Sequence, residues 1–125
     1  MAGKLTTHVL DTAQGCPAAD LIIELWLIHA SAQPQTSSNK TLIKTIQTNA
    51  DGRTDQAVLS SSEIQSGTYE LVFAVGNYFA QQSVKTTDPP FLDRIPIQFT
   101  ITDTDAHYHV PLLVSPWSYS TYRGS

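Results

Sequence analysis

The chain has 125 residues, 41% hydrophobic and only 14% charged, with a formal net charge of −4. That length predicts one domain, 1–125, built on one core, and the low charge excludes a coiled coil or a disordered tail. The four Lys and three Arg are scattered along the chain, which argues against nucleic-acid and membrane-surface partners. Thr, Val and Ile number 15, 7 and 9, a β-branched composition that favours strands.

In chain order, Lys4 to Leu10 alternates, with Leu5 and Val9 on one face and His8 on the other. Gln14-Gly15-Cys16-Pro17 reads as a turn. Leu21, Ile23, Leu25 and Leu27 share a face, opposite Asp20, Ile22, Glu24 and Trp26. This second face is only partly polar, so it is either wet or used for assembly. The longest apolar stretch, Leu21 to Ile28, is interrupted by Glu24 and too short to span a bilayer. Gln33 to Asn39 reads as a polar loop, and Asn49-Ala50-Asp51-Gly52 as a turn closing on Asp-Gly. Ser60 to Gly67 and Thr86 to Pro90 are further loops. Tyr69, Leu71, Phe73 and Val75 line a strand face, and Asn77 to Gln82 predicts a short helix capped by Asn77. Ile95, Ile97, Phe99 and Ile101 alternate with Pro96, Gln98, Thr100 and Thr102. Tyr108, Val110, Leu112 and Val114 share the last apolar face, opposite His107 and His109. Seven to eight short strands of this kind predict an all-β, two-sheet Greek-key sandwich with one short helix.

The histidines carry the chemistry. His8 and His109 both sit on the side of their strands away from the core, whereas His29 ends an apolar row beside a loop. Surface imidazoles without a role, a metal site and acid–base catalysis all compete for them. His107-X-His109 has a spacing metals use, but no Cys pair or further His accompanies it, so no metal is expected. Cys16, the lone cysteine, has no neighbouring cation to make it a nucleophile and cannot form an internal disulfide. A single Cys and the absence of an N-terminal apolar run suggest a cytoplasmic setting. Arg53 follows the Asp-Gly turn, an exposed position suited to reaching a ligand. The end of the chain, Trp117 to Ser125, is dense in aromatic and hydroxyl residues, suited either to closing over a pocket or to an edge strand.

Three segments together resemble one family. They are Leu5-Thr6-Thr7-His8-Val9-Leu10-Asp11 with Gly15-Cys16-Pro17-Ala18, then Asn49-Ala50-Asp51-Gly52-Arg53, then His107-Tyr108-His109-Val110-Pro111-Leu112-Leu113 through Tyr122-Arg123-Gly124-Ser125. The chain is similar along essentially its whole length to the transthyretin-like 5-hydroxyisourate hydrolases of purine degradation. The resemblance implies a β-sandwich protomer assembled as a homotetramer, with solvent-open active sites at the dimer–dimer interface. It implies hydrolytic opening of 5-hydroxyisourate to 2-oxo-4-hydroxy-4-carboxy-5-ureidoimidazoline, with no cofactor, since water adds and no electrons leave. It places catalysis on His8, Arg53, His109 and Ser125, and substrate binding on His8, Arg53, Tyr122 and Arg123. His29 and His107 match no catalytic position. Either His8 or His109 would be the general base, with Arg53 stabilising the oxyanion. The rival expectations are a transthyretin-type carrier of a small apolar molecule in the same interdimer channel, and a β-domain that merely oligomerises.

Overall fold

The computed structural model describes residues 3–29 and 39–124. Eight strands and one helix follow the alternation closely. They are β1 (Lys4–Asp11), β2 (Cys16–Pro17), β3 (Ile22–Ile28), β4 (Lys40–Gln47), β5 (Gly67–Ala74), α1 (Val75–Ala80), β6 (Arg94–Ile101), β7 (His107–Val114) and β8 (Tyr119–Thr121). Two four-stranded sheets result, ordered β2-β1-β7-β8 and β4-β3-β5-β6. All pairings are antiparallel except β1 with β7, which run parallel through the whole of both strands. The first and the last long strands of the chain are therefore neighbours in the middle of one sheet.

The inward faces supply the core. Leu5 and Val9 of β1 and Leu112 and Val114 of β7 meet Leu25, Leu71, Phe73, Ile95 and Ile101 from the other sheet, all within one fully buried cluster. Each such side chain contributes roughly 1.5–3 kcal/mol of transfer free energy. With the inward positions committed to packing, any site must lie on an outer face or at a sheet edge.

The helix starts at Val75, two residues before the expected Asn77, and its N-cap is Ala74 with no side-chain cap hydrogen bond. Burial sets this start. Val75, Gly76, Tyr78 and Phe79 are buried, and the Gly76 N–H donates to the Asp93 carbonyl at 2.8 Å. Gln14 to Pro17 turns through Gly15 (φ 70°) but also yields the short strand β2. Of the expected loop Gln33–Asn39, residues 33–38 lie outside the described residues. The segment from Trp117 does form an edge strand, β8, antiparallel to β7.

One polar group is buried deliberately. The Asp11 carboxylate accepts from the Ala13 and Gln14 N–H groups (2.9 and 3.0 Å), the Gln14 side-chain amide (2.7 Å) and the Tyr78 hydroxyl (2.8 Å). These bonds tie the end of β1 to α1. Burial, followed by the Asp11 carboxylate beside it, pushes the Tyr78 phenol well above its ordinary pKa, so it stays a donor.

Candidate active site

The parallel register decides what meets. Lys4 pairs with His107, Thr6 with His109 and His8 with Pro111. Paired residues in adjacent strands point to the same face. Thr6, His8, His107 and His109 thus share the outer face of the sheet, although about a hundred residues separate the two strands. The Thr6 hydroxyl lies between the two imidazoles, 2.7 Å from His107 Nε2 and 2.8 Å from His109 Nδ1. The two rings are 6.2 Å apart, centre to centre.

Arg53 arrives from a turn fastened to β1. Asn49 Oδ1 accepts from the Asp51 and Arg53 N–H groups, at 2.9 and 3.2 Å. The Val9 N–H donates to the Gly52 carbonyl at 2.8 Å. Gly52 has φ 73°, and a Cβ there would stand 2.4 Å from the Val9 carbonyl oxygen. Only glycine meets both demands, the left-handed backbone and the close approach. His8 is bound to the same turn, its Nε2–H donating to the Asp51 carbonyl at 2.9 Å. A carbonyl only accepts, so the bond places the proton on Nε2 and leaves Nδ1 with the lone pair in the neutral ring.

Arg53 lines an open cleft of about 450 Å³ with Lys4, Thr6, Asp55, His107 and His109. His8 stands beside it, one pleat along β1 from Thr6. Burial, and then the neighbouring charges of Arg53, His107 and His8, hold the His109 imidazole below its ordinary pKa. His109 is therefore a neutral base at neutral pH, hydrogen-bonded through one nitrogen and available through the other. Among the described residues, no group of three or more His, Cys, Asp or Glu is placed to hold a metal ion.

The tail closes on this site from β8. Gly124 forms an isolated antiparallel bridge with His109, its N–H donating to the His109 carbonyl at 2.8 Å. Arg123 turns the other way, its guanidinium 4.3 Å above the Tyr108 ring and away from the histidine face. Tyr122 is exposed, and Ser125 lies outside the described residues. His8, Arg53 and His109 are thus brought together, while Arg123 contacts Tyr108. Thr6 is the neighbour that sequence reading passed over; His107, expected to match no catalytic position, lies against it, and Asn49 fastens the turn that carries Arg53. Thr6 alternates in phase with His8, and Asn49 opens an Asx turn; both signals were present. His29 donates to or accepts from Thr41 at 2.6 Å, remote from the cleft.

A two-sheet sandwich with an imidazole–guanidinium cluster on the outer face of one sheet defines a narrow class. The chain belongs to the HIUase/Transthyretin family, whose model matches residues 5–124. It is 54% identical over 98% of its length to the 5-hydroxyisourate hydrolase of Mesorhizobium japonicum, covering 93% of that protein. It is 51% identical over 99% of its length to 5-hydroxyisourate hydrolase 2 of Rhizobium meliloti, covering 98% of it. Among solved structures it resembles (S)-allantoin synthase, with a TM-score of 0.85 and 48% identity over 99% of this chain; it spans 44% of that longer chain.

Proposed function

We propose that the protein hydrolyses 5-hydroxyisourate, opening its ring to 2-oxo-4-hydroxy-4-carboxy-5-ureidoimidazoline. The observation that carries this reading is the outward cluster of His8, Arg53 and His109 in a chain about half identical to proteins named for that reaction. His109 takes the proton of the attacking water. Arg53 binds the carbonyl edge and stabilises the oxyanion as the tetrahedral intermediate forms. His8, fixed through Asp51, orients the substrate from its free nitrogen. The ring C–N bond then breaks, the nitrogen takes a proton and the carbonyl carbon becomes a carboxylate. Tyr122 and Arg123 instead line a second pocket with Tyr108, Val110 and Thr121.

The working form is a homotetramer with its sites between dimers. The cleft is open on the single protomer, and large aromatic side chains elsewhere on the surface stay exposed, Trp117 at 53% and Tyr122 at 60%. A cytoplasmic setting belongs to the same reading and is supported by the free, exposed Cys16. No helix among the described residues is long and apolar enough to cross a membrane.

The test follows the absorbance of freshly generated 5-hydroxyisourate with and without the purified protein, alongside its sedimentation. Faster decay by a tetramer is expected. Unchanged decay together with tight uptake of an apolar ligand by the tetramer would instead establish a carrier.

A further inference from the structure

The Thr6 hydroxyl is placed where it does more than fill space. It touches Nδ1 of His109 and Nε2 of His107, yet it has one proton to give and two lone pairs to offer. Both contacts are satisfied together when it donates to one ring and accepts from the other. We propose that Thr6 is a positioning residue that links His109 to His107 as a two-way proton relay, with His107 as the outer proton store. The proposal rests on the hydrolase reading and deepens it.

The relay runs in two balanced steps. In the resting state His109 Nδ1–H donates to Thr6 Oγ1, and Thr6 Oγ1–H donates to the bare Nε2 of His107. As water attacks, its proton goes to His109 Nε2. The Nδ1 proton passes to Thr6, and the hydroxyl proton passes to His107 Nε2. The positive charge then sits on His107, and the new C–O bond is complete. When the ring C–N bond breaks, every transfer reverses. His107 returns its proton through Thr6 to His109 Nδ1, and His109 Nε2–H protonates the leaving nitrogen. One water is consumed, and each side chain ends as it began.

The surroundings give the relay a purpose. His109 is half-buried beside Arg53, where an imidazolium is disfavoured, whereas His107 is exposed to solvent, where the charge is well hydrated. The groups facing His109 are His8, Arg53 and His107, with Lys4 and Asp55 lining the same cleft. Moving the charge outward keeps His109 from being trapped as a cation or from resisting protonation at the moment of attack. The parallel register makes the bridge rigid, because Thr6 is the direct strand partner of His109.

The experiment compares Thr6→Val, Thr6→Ser, His107→Gln and the double variant Thr6→Val/His107→Gln in the full-length protein. Valine keeps the β-branched shape without the hydroxyl, and glutamine keeps a hydrogen-bonding group that stores no proton. Expected are a fall in kcat of roughly tenfold or more for Thr6→Val and His107→Gln with KM nearly unchanged, recovery in Thr6→Ser, and a double variant no slower than the singles. A double variant whose losses multiply, or a Thr6→Val enzyme with wild-type kcat and pH profile, overturns the relay. Nitrogen NMR of the two imidazoles supplies a readout that needs no substrate. In the wild type, neutral His109 carries its proton on Nδ1, where Thr6 Oγ1 accepts it; in Thr6→Val that preference is lost. An unchanged Nδ1–H preference of His109 in Thr6→Val overturns the relay even if the protein proves not to hydrolyse 5-hydroxyisourate. A Thr6-dependent Nδ1–H on His109 in a wild type inert toward 5-hydroxyisourate overturns the hydrolase reading and with it the catalytic use of the bridge.

Discussion

Gly124 lies so close to His109 that a Cβ at position 124 would stand 2.5 Å from the ring carbon Cδ2 and 3.1 Å from Cγ. No side chain but hydrogen fits there while the ring keeps its place. The glycine thereby sets the position of His109, the proposed base. Gly124→Ala should push the ring aside without touching the core. The expected result is a loss of kcat between about 10-fold and 100-fold, the scale for an ångström of misplacement, with thermal stability close to wild type. Stopped-flow turnover of 5-hydroxyisourate beside a calorimetric melt checks it, and wild-type turnover would show that the ring is not held by the tail.

Arg53 acts on His109 in two ways, and one substitution separates them. Arg53→Met removes the oxyanion partner, so kcat should fall by about 10²–10³. It also removes a positive charge that disfavours imidazolium, so the acid limb of the kcat/KM profile should move to higher pH. Burial, the larger cause of the lowered value, remains, so the move is partial. The same depression has a stability counterpart. The unfolded chain binds a proton on His109 more readily than the folded one, so this contribution is complete above about pH 6.5 and is lost as pH falls through the folded pKa. A pH profile that does not move in Arg53→Met would remove Arg53 from the list of groups that tune His109.

His8→Ala and His109→Asn should each lower turnover by about 10²-fold, the ordinary scale for a lost acid–base group. Their signatures differ. His109→Asn should abolish the acid limb. His8→Ala should retain it and raise KM, because His8 is bound through Nε2 to Asp51 and offers only an orienting nitrogen. Near-native turnover in both variants would refute the site.

Asp11 tests the frame apart from the chemistry. Asp11→Ala leaves the Tyr78 hydroxyl and two backbone N–H groups without their acceptor. The expected cost is about 3 kcal/mol, seen as a fall in Tm of roughly 10 °C. Turnover per folded protomer should stay near wild type, since Asp11 points away from the histidine face. A melt unchanged from wild type would show that these bonds only replace equivalent ones to water.

Period-two alternation made most of this fold readable. Leu5, Val9, Tyr108, Val110 and Leu112 point inward as their spacing predicts, and His8 and His109 point outward for the same reason. Arg53 was legible because an Asp-Gly turn exposes the residue after it. Three features were not legible, each for a physical reason. Parallel pairing of β1 with β7 leaves no local turn signal, so the Thr6 bridge to two histidines was hidden behind a separation of about a hundred residues. The start of α1 is set by burial of Val75 and Gly76 rather than by a capping side chain, so Asn77 misled. The direction of Arg123 depends on the register of β8, which places it beside Tyr108 and gives His109 to Gly124.

The pairing of β1 with β7 also orders events in time. During synthesis β1 comes well before β7, and until β7 follows its partners are β2, Gly52 and Leu59, all on the opposite edge. Until then its hydrogen-bonding edge is open, an invitation to a neighbouring nascent chain. The proton-handling groups meet only when that seam is sewn. On the proposed reading, a chain whose β7 has not yet docked lacks His109 beside Thr6 and so has no assembled site.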